Sequence, residues 1–197
     1  MTRIRATLSA LSLPASFEVQ LAHFIELFQK WNRSINLSAA RTEAELTEHI
    51  IDSLHVIPHL RTTATPAVLD VGAGGGLPSV IAAICVPDAR ITALEPVHKK
   101  HAFLRTAARE LALPNLEARA ERIDDHAAAD YDLAMSRATF DLREWLLRGL
   151  AAVKPGGTVL GFEAVPRADL PPGTQRAPYS LDGKTRAIVS LRREPTR

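Results

Sequence analysis

Residues Val68 to Val80 read VLDVGAGGGLPSV. Gly72, Gly74, Gly75 and Gly76 place four glycines within five positions. An apolar run precedes them and another follows. A short apolar run, a glycine loop and a second apolar run predict strand, turn and helix. Glycine in such a turn admits unusual backbone angles and lets a ligand approach the main chain closely. In an open parallel sheet this position, at the carboxyl end of the first strand, is where ligands bind.

The flanking residues narrow the ligand. A triphosphate-binding loop needs G-x-x-x-x-G-K-[ST], and no Lys follows these glycines. A dinucleotide fingerprint needs G-x-G-x-x-G; Gly72-Ala73-Gly74 begins it, but Leu77 stands where the last glycine belongs. An NAD-dependent oxidoreductase is therefore the competing reading. The third pattern is Asp70-x-Gly72-x-Gly74-x-Gly76, which looks like the first motif of S-adenosylmethionine (SAM)-dependent methyltransferases. SAM carries a sulfonium and an ammonium rather than a pyrophosphate, so a carboxylate nearby is favourable. Glu95 closes the run Arg90-Ile-Thr-Ala-Leu. A carboxylate ending the second strand can accept from both ribose hydroxyls, a device common to NAD and SAM enzymes.

Outward from this loop, short apolar runs alternate with helical stretches. Strands are expected at 67–71, 90–95, 115–119, 131–135 and 157–163. Helices are expected at 77–85, 98–112 and 141–152, with a short turn or helix at 122–127. Crossovers of this length predict a mostly parallel sheet with helices on both faces. Pro155-Gly156-Gly157 predicts a sharp turn into the fifth strand. Residues 164–183 read as a loop, and Ala187–Leu191 as a last, antiparallel strand. The first sixty residues read as a helical extension packed on the 61–197 domain. Ser16 is placed as cap of a helix with Phe17, Leu21, Phe24, Ile25, Phe28 and Trp31 on one face. Thr42 and Glu45 form a capping box for a second helix ending at Pro58.

Composition sets outer limits. The 197 residues include 46% apolar and 23% charged side chains and carry a net charge of +2, ordinary for one soluble domain. One cysteine, Cys85, permits no internal disulfide and fits a reducing compartment. The first residues lack the apolar core of a signal peptide, and no run could cross a bilayer. The chain reads as a cytoplasmic monomer with no membrane association. Five basic residues from Lys184 to Arg197 face one acid, Glu194. The histidines at 49, 55, 59, 98 and 101 match no zinc spacing, so no metal site is expected. His49 and Asp52 read as a polar corner between the helical extension and the sheet.

Several further pieces carry a family resemblance. They are Trp31-Asn32 with Asn36-Leu37-Ser38 and Arg41; His49-Ile-Ile-Asp-Ser-Leu54; Leu69 to Gly72 with Gly76-Leu77-Pro78; Lys99-Lys100 with Phe103-Leu104; Ser136-Arg137-Ala138; and Leu150 to Gly157. Together the chain resembles the RsmG (GidB) family of small-subunit ribosomal RNA guanine-N7 methyltransferases. The resemblance implies an α/β, Rossmann-like SAM-dependent methyltransferase fold with a seven-stranded, mostly parallel sheet. It also implies SAM as cofactor and 16S rRNA, or a small ribosomal subunit precursor, as partner; a SAM- and RNA-binding module that has lost catalysis is the other alternative. By position it assigns SAM contacts to Gly72, Leu77, Ile123, Asp124 and Arg137; Asp70, Gly74 and Glu95 come from the loop and strand-end reading.

No side chain stands out as a catalytic acid or base, and Arg137 is the positioning candidate. Guanine N7 offers a lone pair and carries no proton, so no general base is obligatory. Arg33, Arg41, Lys99, Lys100, Arg137, Arg192 and Arg193 are candidates for RNA phosphate. The chain departs from the family at Glu48, Glu163 and Arg186, where a basic residue, a lysine and a histidine respectively are common. Two of these three changes reduce positive charge, which bears on RNA affinity.

Overall fold

The computed structural model describes residues 1–40, 42–61, 63–127 and 129–195. The chain opens with a helix the sequence reading does not include, α1 (Thr2–Ala10). Ile4 and Leu8, four residues apart, are its buried face. Helix α2 (Phe17–Ile35) buries Leu21, Phe24, Ile25 and Phe28, the expected face. The expected cap is not formed: Ser16 is already helical (φ −58°, ψ −24°) and its side chain makes no capping bond. A backbone turn starts the helix instead, with Phe17 N–H donating to Pro14 O and Glu18 N–H to Ala15 O.

Helix α3 (Glu43–Leu54) has the expected capping box, with Glu45 N–H donating to Thr42 Oγ1 at 3.2 Å and Thr42 N–H to Glu45 Oε2 at 3.1 Å. It ends at Leu54, before Pro58. Pro58 lies instead in the first turn of a short helix, α4 (Ile57–Leu60), where its missing N–H costs nothing.

The sheet is built from β1 (Ala67–Val71), β2 (Arg90–Leu94), β3 (Leu116–Arg119), β4 (Tyr131–Ser136), β5 (Val153–Glu163), β6 (Gln175–Leu181) and β7 (Lys184–Arg192). Their order is β3-β2-β1-β4-β5-β7-β6. The first five strands are parallel, and β7 runs antiparallel to both β5 and β6. Strand β6 occupies part of the segment read as a loop. Its hairpin with β7 turns at Asp182 and Gly183, both at positive φ (50° and 72°), between the paired Leu181 and Lys184. Pro155-Gly156-Gly157 does not precede β5 but interrupts it. The pairing steps from Tyr131↔Val153 to Leu133↔Thr158 across this irregularity.

Helices α5 (Ser79–Cys85) and α6 (His98–Glu110) cover one face, and α7 (Leu142–Gly149) the other. Alternation along β1 makes the division: Val68 joins the first core cluster, Leu69 and Val71 the second. The N-terminal helices pack on the α5–α6 face. Phe24, Phe28 and Trp31 meet Phe103 of α6 with ring centroids 6.4, 5.8 and 5.7 Å apart. Burying each phenylalanine is worth roughly 1.5–3 kcal/mol, so the extension is held by its own share of the core. No helix among the described residues is long and apolar enough to cross a membrane.

Candidate cofactor site

Strand order reverses between β1 and β4, and the crevice opens at their carboxyl ends. The glycine loop folds back toward β2. Gly72 and Ala73 both donate N–H to Leu94 O, at 2.9 and 3.0 Å. Gly74 N–H donates to Glu95 Oε2 at 2.8 Å, and Val97 N–H to Glu95 Oε1 at 2.8 Å. Glu95 is buried, so these bonds offset the cost of its charge. Each carboxylate oxygen has a second lone pair for a further donor.

The glycines serve different purposes. A Cβ on Gly74 would meet no atom closer than 3.8 Å, and its φ of 55° suits glycine. Its outer side therefore stays open for a ligand. A Cβ on Gly75 would lie 2.5 Å from Phe28 Cε2 and 3.1 Å from Leu37 Cβ. Gly75 lets the N-terminal extension close on the loop. The Trp31-Asn32 and Asn36-Leu37-Ser38 pieces shape that contact. Asn32 Nδ2 donates to Ala40 O at 2.9 Å, and Asn32 Oδ1 accepts from Ser38 N–H at 3.1 Å. These bonds hold the turn that places Leu37 against the loop.

Asp70 lies behind the loop, wholly buried. Its Oδ2 accepts from Ser79 N–H at 3.1 Å, and its Oδ1 has no partner among the described residues. Burial pushes its carboxyl up to about 7. Leu77 is buried, and its carbonyl accepts from Arg137 Nε at 3.2 Å. Arg137 turns inward. Its Nη1 donates to His49 Nδ1 at 3.1 Å and approaches Asp52 Oδ2 at 3.4 Å. Burial and the Arg137 cation push the His49 imidazole down, keeping that nitrogen an acceptor. Asp52 Oδ1 also accepts from Tyr179 Oη at 2.6 Å and Arg186 Nη1 at 3.1 Å. The polar corner at His49 and Asp52 thus joins α3 to β4, β6 and β7.

Ile123 and Asp124 sit in a 3-10 turn after β3 (Ile123–Asp125). Ile123 packs on the cluster holding Leu69, Val71 and Leu94. Asp124 is exposed and pairs with Arg148 of α7. Sequence reasoning misses the residue that fastens this turn. His126 bonds Glu121 Oε2 through Nδ1 (2.8 Å) and Tyr131 Oη through Nε2 (2.9 Å).

Some expectations move. Arg192 and Arg193 are not at the mouth. Arg192 pairs with Thr158, toward the amino end of β5, and its Nε donates to Gly156 O. Arg193 Nη1 donates to Leu150 O and Val153 O. Both serve the fold at the end of the sheet opposite the crevice. Arg41 and Arg197 lie outside the described residues. Glu163 does not add negative charge to the surface. It is buried, accepts from Arg176 Nε at 2.9 Å and from Arg167 N–H at 2.9 Å. Glu48 meets Asp182, a contact that raises its carboxyl pKa. Among the described residues no group of His, Cys, Asp and Glu could hold a metal ion.

An antiparallel β7 inserted beside β5 separates this sheet from the all-parallel 3-2-1-4-5-6 sheets of dinucleotide enzymes. It is the Rossmann-like fold of SAM-dependent methyltransferases. The tRNA (m1A58) methyltransferase TrmI from Aquifex aeolicus shares it, with a TM-score of 0.57 at 13% identity over 74% of this chain and 69% of that one.

Sequence comparison narrows the class. The family described as rRNA small subunit methyltransferase G (GidB) matches residues 18–193. The Ribosomal RNA small subunit methyltransferase G of Bordetella avium is 40% identical over 168 residues, 82% of this chain and 75% of the relative. That of Neisseria meningitidis serogroup B is 37% identical over 158 residues, 79% and 75% respectively. The chain belongs to the rRNA small subunit methyltransferase G family.

Proposed function

We propose that the chain transfers a methyl group from SAM to N7 of a guanine in 16S rRNA, as a cytoplasmic monomer acting on small-subunit RNA or its precursor. One observation carries the reading: the bond from Gly74 to Glu95 sets an open backbone and a buried carboxylate at the same crevice. That pairing suits a nucleoside cofactor, and membership of the rRNA small subunit methyltransferase G family makes that cofactor SAM. Glu95 has lone pairs for ribose hydroxyls, and Gly74 has room beside it. Gly72, Leu77, Ile123 and Asp124 would complete the hold, with Asp70 behind the loop and Arg137 fixing the Leu77 carbonyl. When bound, SAM supplies an electrophilic methyl on sulfur.

The chain's own contribution is positioning. A cavity of about 290 Å³ lies at the carboxyl end of β4, lined by Ser136, Arg137, Phe140, Trp145 and Phe162 among others. Trp145 Nε1 donates to Leu160 O at 2.7 Å, and Phe140 stacks on the indole at 5.7 Å. Rigid aromatic walls of this kind suit a planar base. Guanine N7 attacks through its lone pair, so alignment alone can supply much of the rate. Cys85 plays no part as a nucleophile: it is buried, and burial pushes its thiol up to about 12.

RNA would be gripped near the mouth by exposed Arg33 and Lys99 and half-buried Lys100. Arg33 lies in the last turn of α2, and Lys99 in the first turn of α6, shortly after Glu95. Such contacts predict salt-dependent affinity. Calorimetry with SAM and with NAD tests the cofactor: SAM binds and NAD does not.

A further inference from the structure

The cavity at the carboxyl end of β4 holds two guanidinium groups, and they are used differently. Arg137 commits Nε to Leu77 O and Nη1 to His49 Nδ1 and Asp52 Oδ2. Arg186 projects from β7 beyond Glu163, the last residue of β5, because Glu163 pairs with Ala187. Its Nη1 donates to Asp52 Oδ1, yet its Nε is buried with no partner among the described residues. Its side chain is 26% exposed and lines the cavity with Phe140 and Phe162. Asp52 therefore anchors one end of a rigid fork, the buried Nε stiffens its stem, and Nη2, with no acceptor among the described residues, is the donor left for a ligand. A largely desolvated donor gains most from an acceptor supplied by a ligand.

We propose that Arg186 is the specificity-determining residue of the acceptor pocket, donating to O6 of the target guanine. The proposal rests on the guanine-N7 reading above. N7 and O6 share one edge of the base, and an arginine commonly grips both at once. Here N7 must stay free to attack, so only a single contact, to O6, is compatible with the reaction. Adenine presents an amino donor at the same place and would face the guanidinium donor to donor. A backbone phosphate is also an acceptor, but the aromatic walls flanking Arg186 fit a base.

The test compares two substrates in wild-type and Arg186→Gln protein. Small-subunit particles carry either guanosine or 2-aminopurine at the methylated position; the latter keeps N7 but lacks O6. Wild type should favour guanosine in kcat/KM by about 10- to 100-fold, the range of one charge-assisted hydrogen bond. Arg186→Gln should bring that ratio close to one by losing rate on guanosine alone. Arg186→Lys should keep part of it. SAM affinity by calorimetry should stay within about twofold of wild type. An unchanged ratio overturns the assignment, even if both rates fall, because a purely structural role through Asp52 would lower both alike. An unchanged ratio with a shallower salt dependence identifies a phosphate contact instead and also overturns it. If wild type binds SAM but methylates no guanine N7, the functional reading falls and takes this one with it.

Discussion

Gly74 donates its backbone N–H to Glu95 Oε2 across 2.8 Å, tying the glycine loop after β1 to the carboxyl end of β2. The same carboxylate holds Val97 N–H through its other oxygen. Glu95 is thus a brace for the loop as well as a candidate ribose acceptor. Glu95→Gln replaces one acceptor with an amino group that must face one of these two N–H donors. Stability should drop by about 1–2 kcal/mol, the cost of an unsatisfied buried pair. SAM affinity should fall roughly 10- to 100-fold, as expected for a lost charged hydrogen bond or two. Denaturant titration and calorimetry measure the two effects; unchanged affinity would remove Glu95 from the site.

Gly75 is the contact between the loop and the N-terminal extension. Alanine there drives its Cβ into Phe28, which is fully buried and cannot retreat. Overpacking of this kind costs about 1–3 kcal/mol. Phe28→Leu should relieve part of it, so a double-mutant cycle should show a favourable coupling of about 0.5–3 kcal/mol. Additive effects would mean the extension does not lean on Gly75.

Asp70 gives stability a pH dependence. Its carboxyl is raised to about 7 in the folded protein, mainly by burial. The unfolded value is about 4. Between those values the folded state keeps a proton that the unfolded state has lost, so this group's stabilisation is full below pH ~4 and is lost as pH rises toward 7. From pH 5 to pH 7 the loss is on the order of 2–3 kcal/mol. Asp70→Asn should remove it. Urea unfolding across pH 5 to 8 should show the variant gaining on wild type as pH rises; a constant difference would contradict the assignment.

The sheet around the loop was legible because buried parallel strands are short apolar runs and the glycines mark the turn between them. Thr42 and Glu45 were legible because a capping box is local chemistry. Strand β6 was hidden by its proline, Pro178, which is tolerated because the strand lies at the sheet edge. Its signal was Asp182-Gly183, a hairpin turn pair. Helix α1 shows only Ile4 and Leu8 as a face, too little periodicity to stand out.

In the site, Glu95 was readable from its position at a strand end. The Asp52 corner's partners were not. Tyr179 and Arg186 lie 127 and 134 residues away, and only the β6–β7 hairpin brings them to α3. Nor could the sequence reveal that Glu163 points inward to Arg176. Side-chain direction at a strand end depends on register, which the interrupted β5 obscures.

Incubating the purified protein with labelled SAM and unmodified small-subunit particles, then mapping the label by mass spectrometry of 16S rRNA fragments, reads out the methylated atom itself. The account predicts one methyl per particle, on N7 of a single guanine. Label on another atom or another RNA, or none at all despite SAM binding, would contradict it.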